Sequence, residues 1–170
     1  MKFREFHPNI KIRLGETFVS RLVGSMIFPF MTLYLAYHFG AKLTGILLII
    51  NVFIGIACSF VGGYLADHYG RRNIMIVSEC VRAVAFLIMA LSNSPWFESP
   101  VLTFLMMTVN TICFGFGTPA TQAMLIDVST QNERKLMYTI SYWASNFANA
   151  VGGILGAFLF NRIPKEVSLF

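Results

Sequence analysis

Charge is scarce in this sequence. Only 12% of its 170 residues are Asp, Glu, Lys or Arg, against about a quarter in soluble domains. Cysteine is scarce as well: Cys58, Cys80 and Cys113 each lie in an apolar stretch, and none belongs to a CxxC pair. An odd, scattered set of this kind makes neither a disulfide framework nor a zinc site. The three are expected to pack as small hydrophobes. His7, His38 and His68 are spread too widely to form a metal cluster, so no metal site is expected. There is no glycine-rich phosphate loop and no Ser-His-Asp or Cys-His set in a usable context. Nothing in the sequence points to ATP hydrolysis or to an enzyme. No low-complexity linker or separate soluble domain is present either.

What fills the chain is apolar. Hydrophobic residues make up 56%, Phe occurs 17 times, and the mean hydropathy is +0.65. A domain this short buries only about two-thirds of its surface on folding, so a water-soluble core cannot hide that much apolar area. The net charge of +5 and pI near 9.3 would suit nucleic acid, but the basic residues are not clustered for it. They sit between long apolar runs. The composition therefore implies an all-α integral membrane protein, a multi-span transmembrane helix bundle, with the lipid bilayer as its partner and no nucleic acid.

The charges punctuate the chain at membrane-sized intervals. Arg21 and Lys42 bracket 20 residues without a charge, Lys42 and Asp67 bracket 24, Glu98 and Asp127 bracket 28, and Lys135 and Arg162 bracket 26. About 20 apolar residues cross the ~30 Å hydrocarbon layer as a helix. The third run contains Glu79 and Arg82. Five spans are predicted, at about 17–37, 44–66, 74–93, 100–126 and 136–160. The basic N-terminus precedes an apolar segment too long for a cleavable signal, so that segment is the first span. The last ten residues read as an external loop, with Ser168-Leu169-Phe170 opening a sixth helix, so the chain reads as truncated near the start of span six.

Orientation follows from the basic residues of the loops. Lys2, Arg4, Lys11, Arg13, Arg71, Arg72, Arg134 and Lys135 fall on one side; Lys42, Arg162 and Lys165 fall on the other. This excess predicts a cytoplasmic N-terminus in the cell membrane. Tyr34, Tyr37 and Trp96 lie near the outer interface and Tyr64, Tyr69 and Tyr138 near the inner one, where amphipathic rings prefer to sit.

The most informative stretch is the turn between spans two and three, Gly63-Tyr64-Leu65-Ala66-Asp67-His68-Tyr69-Gly70-Arg71-Arg72-Asn73. Gly63 permits close helix approach, Asp67 sits at a helix end where a carboxylate accepts charge-assisted bonds, and Gly70 permits a tight turn. Arg71 and Arg72 anchor the cytoplasmic face, and Arg71 also has a carboxylate within reach. The stretch resembles the G-x-L-A-D-x-x-G-R-R/K pattern of the major facilitator superfamily, and the five spans are similar to the N-terminal six-helix half of such a transporter. The resemblance implies that Gly63, Asp67, Gly70, Arg71 and Arg72 form a conformational latch between two transporter halves, and that Asp127, on the same cytoplasmic face, joins its ion pairs. Plain topological anchoring is the simpler role for Arg71 and Arg72.

Within that superfamily, Arg13-Leu14-Gly15, Thr44-Gly45-Ile46-Leu47-Leu48, Asn132-Glu133-Arg134-Lys135 and Tyr142-Trp143-Ala144 resemble the lactococcal-type proton-coupled multidrug transporters. There are departures. Asn110-Thr111 stands where antiporters often carry an Arg in span four. Ser141 replaces an acid expected before Tyr-Trp. In span five, Gly153 and Ala157 replace a Pro and a Gly.

Ionisable groups inside a span are functional candidates by default. Glu79 and Arg82, three residues apart on one helix face, are candidate proton or gating sites; a local ion pair with Arg82 snorkelling is the plainer reading. Glu16, at the start of span one, is a second proton candidate, against an ordinary interfacial role. Tyr142, Asn146 and Asn149 make a polar stripe on span five. With Asn110 and Phe114 on span four and Met31 and Tyr34 on span one, they are candidates to line a substrate cavity. Aromatic and Met side chains suit a large apolar cation, and helix packing explains the same residues equally well.

The expected function is that of a secondary active transporter exporting drugs or lipophilic cations by alternating access. The proton gradient would supply the energy, with no cofactor, and a C-terminal half would be its partner. An uptake symporter for a sugar, peptide or metabolite is the alternative in transport; a truncated subunit that does not transport is the alternative outside it.

Overall fold

The computed structural model describes residues 8–94 and 96–160. Among them are five helices: α1 (Pro8–Phe39), α2 (Ala41–Tyr69), α3 (Arg71–Leu91), α4 (Pro100–Asp127) and α5 (Gln131–Phe160). A two-residue hairpin, β1 (Asn93–Ser94) and β2 (Phe97–Glu98), joins α3 to α4. The all-α membrane bundle expected from composition is what forms; α3 ends at Leu91, so the predicted span 74–93 overruns it into β1. The proposed start of span six lies outside the described residues.

The helices outrun the apolar spans, because the backbone bonds itself into a helix regardless of where the hydrocarbon ends. α1 begins at Pro8, well before Thr17; proline is well placed in a first turn, where its missing N–H leaves no intrahelical bond unmade. α1 and α4 continue through Pro29 and Pro119.

Four helices, α1 to α4, are long and apolar enough to cross a membrane. α5 is 30 residues long and carries Tyr142, Asn146 and Asn149 in its apolar run; among the described residues it is not one of the four. Only 6% to 28% of each apolar window in α1 to α4 is buried within the chain. Ile49, Phe53, Ile56 and Phe60 of α2 face outward, as do Val77, Val84 and Leu87 of α3. In water such surfaces would drive aggregation; in a bilayer they are the solvated faces. Cys113 is buried and Cys58 half-buried, but Cys80 is exposed on α3, so the packing role expected for all three does not hold within this chain for Cys80.

The chain divides into two compact units. The first holds residues 1–37 and 125–170. There α5 lies against α1 through glycines: a Cβ on Gly156 would meet the Met26 carbonyl oxygen at 2.7 Å and its Cα at 2.9 Å, and one on Gly152 would collide with Ser25 Oγ. Ser25 Oγ donates to the Ala148 carbonyl across the same seam (3.3 Å). Near the start of α1, Ile10, Leu14 and Met137 form a small core, flanked by Leu125, Val128, Leu136 and Ile140.

The second unit holds residues 38–124. α2 and α4 run side by side in the same direction: Gly55 meets Thr111, Gly115 meets Cys58, and Gly62 meets Phe116. The close approach expected at Gly63 falls one residue earlier, because Gly62 is the position whose Cβ would reach the Phe116 Cα at 2.6 Å, whereas at Gly63 the nearest atom is an ordinary 3.9 Å away. α3 runs antiparallel to α4. Gly117 lies against Ser78, and Ser92 Oγ lies 3.1 Å from Thr103 Oγ1. Asn93 Nδ2 donates to Thr103 Oγ1 (2.9 Å) and to the Met89 carbonyl (2.6 Å), closing the hairpin end.

Membrane helices lack a hydrophobic drive to pair and depend on such close backbone contact. Gly156→Ala is expected to destabilise the purified protein by about 1–3 kcal/mol in denaturant unfolding, since the added methyl overpacks the seam. Gly153→Ala, which meets nothing within 4 Å, is expected to be neutral or stabilising by up to about 1 kcal/mol, the helix-propensity gain.

Candidate functional site

The turn between α2 and α3 is set by Gly70. Its φ of 91° and ψ of 128° belong to a region open almost only to glycine. One residue suffices to end α2 and begin α3, so Asp67 in the last turn of one helix and Arg71 at the start of the next are brought side by side. Arg71 Nη2 donates to Asp67 Oδ1 at 3.4 Å. Asp67 is exposed and Arg71 half-buried. Ion pairs this open contribute about 0–1 kcal/mol, which makes this one weak enough to be exchanged for another partner. Asn73 Nδ2 donates to the Tyr69 carbonyl (3.2 Å), and the backbone N–H groups of Asn73 and Ile74 both donate to the Gly70 carbonyl. The turn is thereby fixed while its ion pair stays labile. Arg72 is exposed beside it.

Two turns along α3, Arg82 Nη1 donates to both carboxylate oxygens of Glu79, at 2.9 and 3.1 Å. The guanidinium carbon also lies 5.7 Å from the centre of the Phe114 ring on α4. Sequence spacing predicted the ion pair. The aromatic contact from another helix was not readable; Phe114, a candidate for a substrate cavity, lies beside this pair. Within a span the two charges neutralise each other, which lowers the cost of placing either there. Cys113 on α4 lies within electrostatic range of Glu79 and Arg82, with Cys58 of α2 nearby.

The remaining candidates divide between the units. In the second unit Asn110 is buried on the α3-facing stripe of α4. In the first, Met31 and Tyr34 of α1 are half-buried, and Tyr142, Asn146 and Asn149 of α5 are exposed. Asn146 Nδ2 donates to the Tyr142 carbonyl (2.8 Å), so that amide is tied to its own helix. Glu16 pairs with Arg13 at 3.1 Å. Asp127 is exposed at the end of α4, in the first unit.

Two further arrangements escaped the sequence reading. Glu133 Oε2 accepts from both the backbone N–H and the hydroxyl of Thr130, each at 2.7 Å, while Arg134 Nη2 donates to the Ile126 carbonyl at the end of α4 (3.0 Å). Thr130 and Glu133 have the S/T-x-x-E spacing of a capping box, a legible signal. His38 Nε2 lies 3.2 Å from Glu98 Oε1; nothing in sequence links residues so far apart.

The family description Major Facilitator Superfamily matches residues 17–166. Over 169 residues the chain is 37% identical to a Na+, Li+, K+/H+ antiporter of Planococcus maritimus, covering 99% of this chain and 40% of that protein. It is 30% identical over 159 residues to the uncharacterized MFS-type transporter YqjV of Bacillus subtilis, covering 92% of this chain and 38% of that protein. It is 25% identical over 146 residues to the multidrug resistance protein MdtH of Sodalis glossinidius, covering 85% of this chain and 35% of that protein. The chain thus spans about two-fifths of the length of these relatives.

Gly70→Ala is expected to destabilise the protein by about 1–3 kcal/mol, the strain of holding a Cβ in this backbone region. Thermal unfolding of the purified variant checks it.

Proposed function

The chain belongs to the major facilitator superfamily, and from that premise we propose that it is the N-terminal half of a secondary transporter that exports cations or drugs in exchange for protons. The observation that carries this reading is the turn at Gly70, where a fixed backbone holds a weak, exposed Asp67–Arg71 pair. A rigid turn with an exchangeable ion pair suits a latch between halves that rock about a central site. In one state Arg71 bonds Asp67 within its own half; in the other, either group takes a partner from the opposite half. The two states then differ by the interactions exchanged, which lets ligand binding bias them.

The relatives support cation exchange for protons: one is named as an antiporter of monovalent cations and protons, another as a multidrug resistance protein. Glu79 is the proposed proton-carrying carboxylate, because it lies in a span with Arg82 as its counter-ion. The cytoplasmic N-terminus rests on the excess of Lys and Arg in loops on that side, and the cell membrane is the proposed location. The proton gradient is the energy source, and a second half supplies the facing helices.

The complete transporter carrying this chain is to be reconstituted in vesicles with a trapped pH indicator. Added Na+ or ethidium is expected to dissipate an imposed proton gradient. Proton entry driven only by uptake of a sugar or peptide would overturn the exporter reading in favour of a symporter. Asp67→Asn is expected to insert normally and transport roughly tenfold more slowly, the scale of a coupling free energy of about 1–3 kcal/mol. An unchanged rate would remove Asp67 from the latch.

A further inference from the structure

The Glu79 carboxylate and the Phe114 ring stand on different helices, α3 and α4, yet one guanidinium reaches both. Arg82 Nη1 donates to the two carboxylate oxygens at 2.9 and 3.1 Å, and Arg82 Cζ lies 5.7 Å from the ring centre. The separation of carboxylate and ring is therefore that of a group which a small organic cation can span. The register that holds them is fixed on either side, by Gly117 against Ser78 and by Ser92 against Thr103. A carboxylate beside an aromatic face is the pairing that recognises organic cations. The oxygens supply charge and the ring supplies its quadrupole and dispersion.

Arg82 is an imperfect occupant of this pairing. Both of its bonds to Glu79 come from a single nitrogen, Nη1, whereas the strongest Arg–carboxylate geometry uses two parallel N–H donors. Its Nε is buried with no hydrogen-bond partner, so part of the guanidinium's bonding capacity is unmet. Exposure is uneven as well. The Arg82 side chain is 14% exposed and that of Glu79 43%, while Phe114 is 47% exposed. The arginine is the covered member of the three. The carboxylate and the ring both keep open surface, so a second cation can reach them without an enclosed cavity.

We infer that Glu79 and Phe114 form a binding site for large organic cations, quaternary or delocalised, and that Arg82 is its tethered competitor. The inference rests on the cation export in exchange for protons proposed above, and it names the class of cation and the place where it binds. An arriving cation takes one Glu79 oxygen and the open surface of Phe114. Arg82 gives up that oxygen and keeps its bond to the other, so its charge is never left alone in the span. The empty site carries no net charge. With a cation bound it carries one positive charge, and with a proton on Glu79 it carries the same. Cation and proton are then electrically equivalent loads that exclude each other on one carboxylate.

The test is equilibrium binding of ethidium to the complete purified transporter, at alkaline pH where protons do not compete. Arg82→Gln removes a like charge from the site and is expected to tighten binding about tenfold, whereas Arg82→Lys keeps the charge and stays near wild type. Phe114→Leu is expected to weaken binding roughly fivefold and Phe114→Trp to preserve it, the scale of a cation–π contact. Both Phe114 variants leave the ion pair whole, so the test does not depend on variants that break it. Glu79→Gln is expected to weaken binding by about tenfold or more and to abolish the loss of affinity that the wild type shows on acidification. A merely structural ion pair would give no gain of affinity when Arg82 is removed. Weaker or unchanged binding in Arg82→Gln, or equal binding in Phe114→Leu and wild type, overturns the inference. So does a wild type that binds no ethidium while Na+ still drives proton exchange, and the transport function then stands. A wild type in which neither Na+ nor ethidium moves protons overturns the function, and this inference with it.

Discussion

Hydrocarbon offers no partner to a charge or to a backbone N–H, and the rest of this structure follows from that. Long helices satisfy the backbone internally. Most charges are pushed to the helix ends, where water and headgroups are within reach. Arg71 and Arg72 lie at the start of α3, Arg134 and Lys135 near the start of α5, Lys42 at the start of α2 and Glu98 just before α4. Within α3 the two charges inside the span, Glu79 and Arg82, form a neutral unit. Arg82 makes two bonds to Glu79 and rests on Phe114, so neither side chain stands as an isolated ion.

With the outer faces committed to lipid, the helices hold together by close approach. Gly152 and Gly156 bring α5 onto α1 in one unit; Gly55, Gly62 and Gly115 bring α2 onto α4 in the other. These seams are rigid, whereas the Asp67–Arg71 pair at the Gly70 turn is open and weak.

Much of this was legible in the sequence. Charge spacing pointed to α1, α2, α4 and α5, because the bilayer imposes its own length on apolar runs; α3, which carries Glu79 and Arg82, gave a less clean signal. The start of α1 was missed, because a helix that continues into water needs no apolar signal; Pro8 was the available clue. The Gly70 turn and the Asp67–Arg71 pair were legible, since Gly70 and its neighbours act locally. The close packing was placed at Gly63 rather than Gly62, because adjacent glycines look alike until a second helix selects one. The Glu79–Arg82 pair could be read from its spacing within a single helix. The Phe114 contact and the His38–Glu98 pair could not, since each depends on the register between helices far apart in sequence.

The central claim is that charge placement sets which helix ends meet which side of the membrane. Its most direct test is the labelling of single cysteines with a membrane-impermeant maleimide, after Cys58, Cys80 and Cys113 are replaced by alanine. Arg72→Cys, at the Gly70 turn, and Trp96→Cys, at the hairpin tip where the ring is 96% exposed, lie at opposite ends of α3. The account predicts that Arg72→Cys in intact cells labels only after permeabilisation, and that Trp96→Cys labels without it. Labelling of both from the same side, or the reverse pattern, would contradict it.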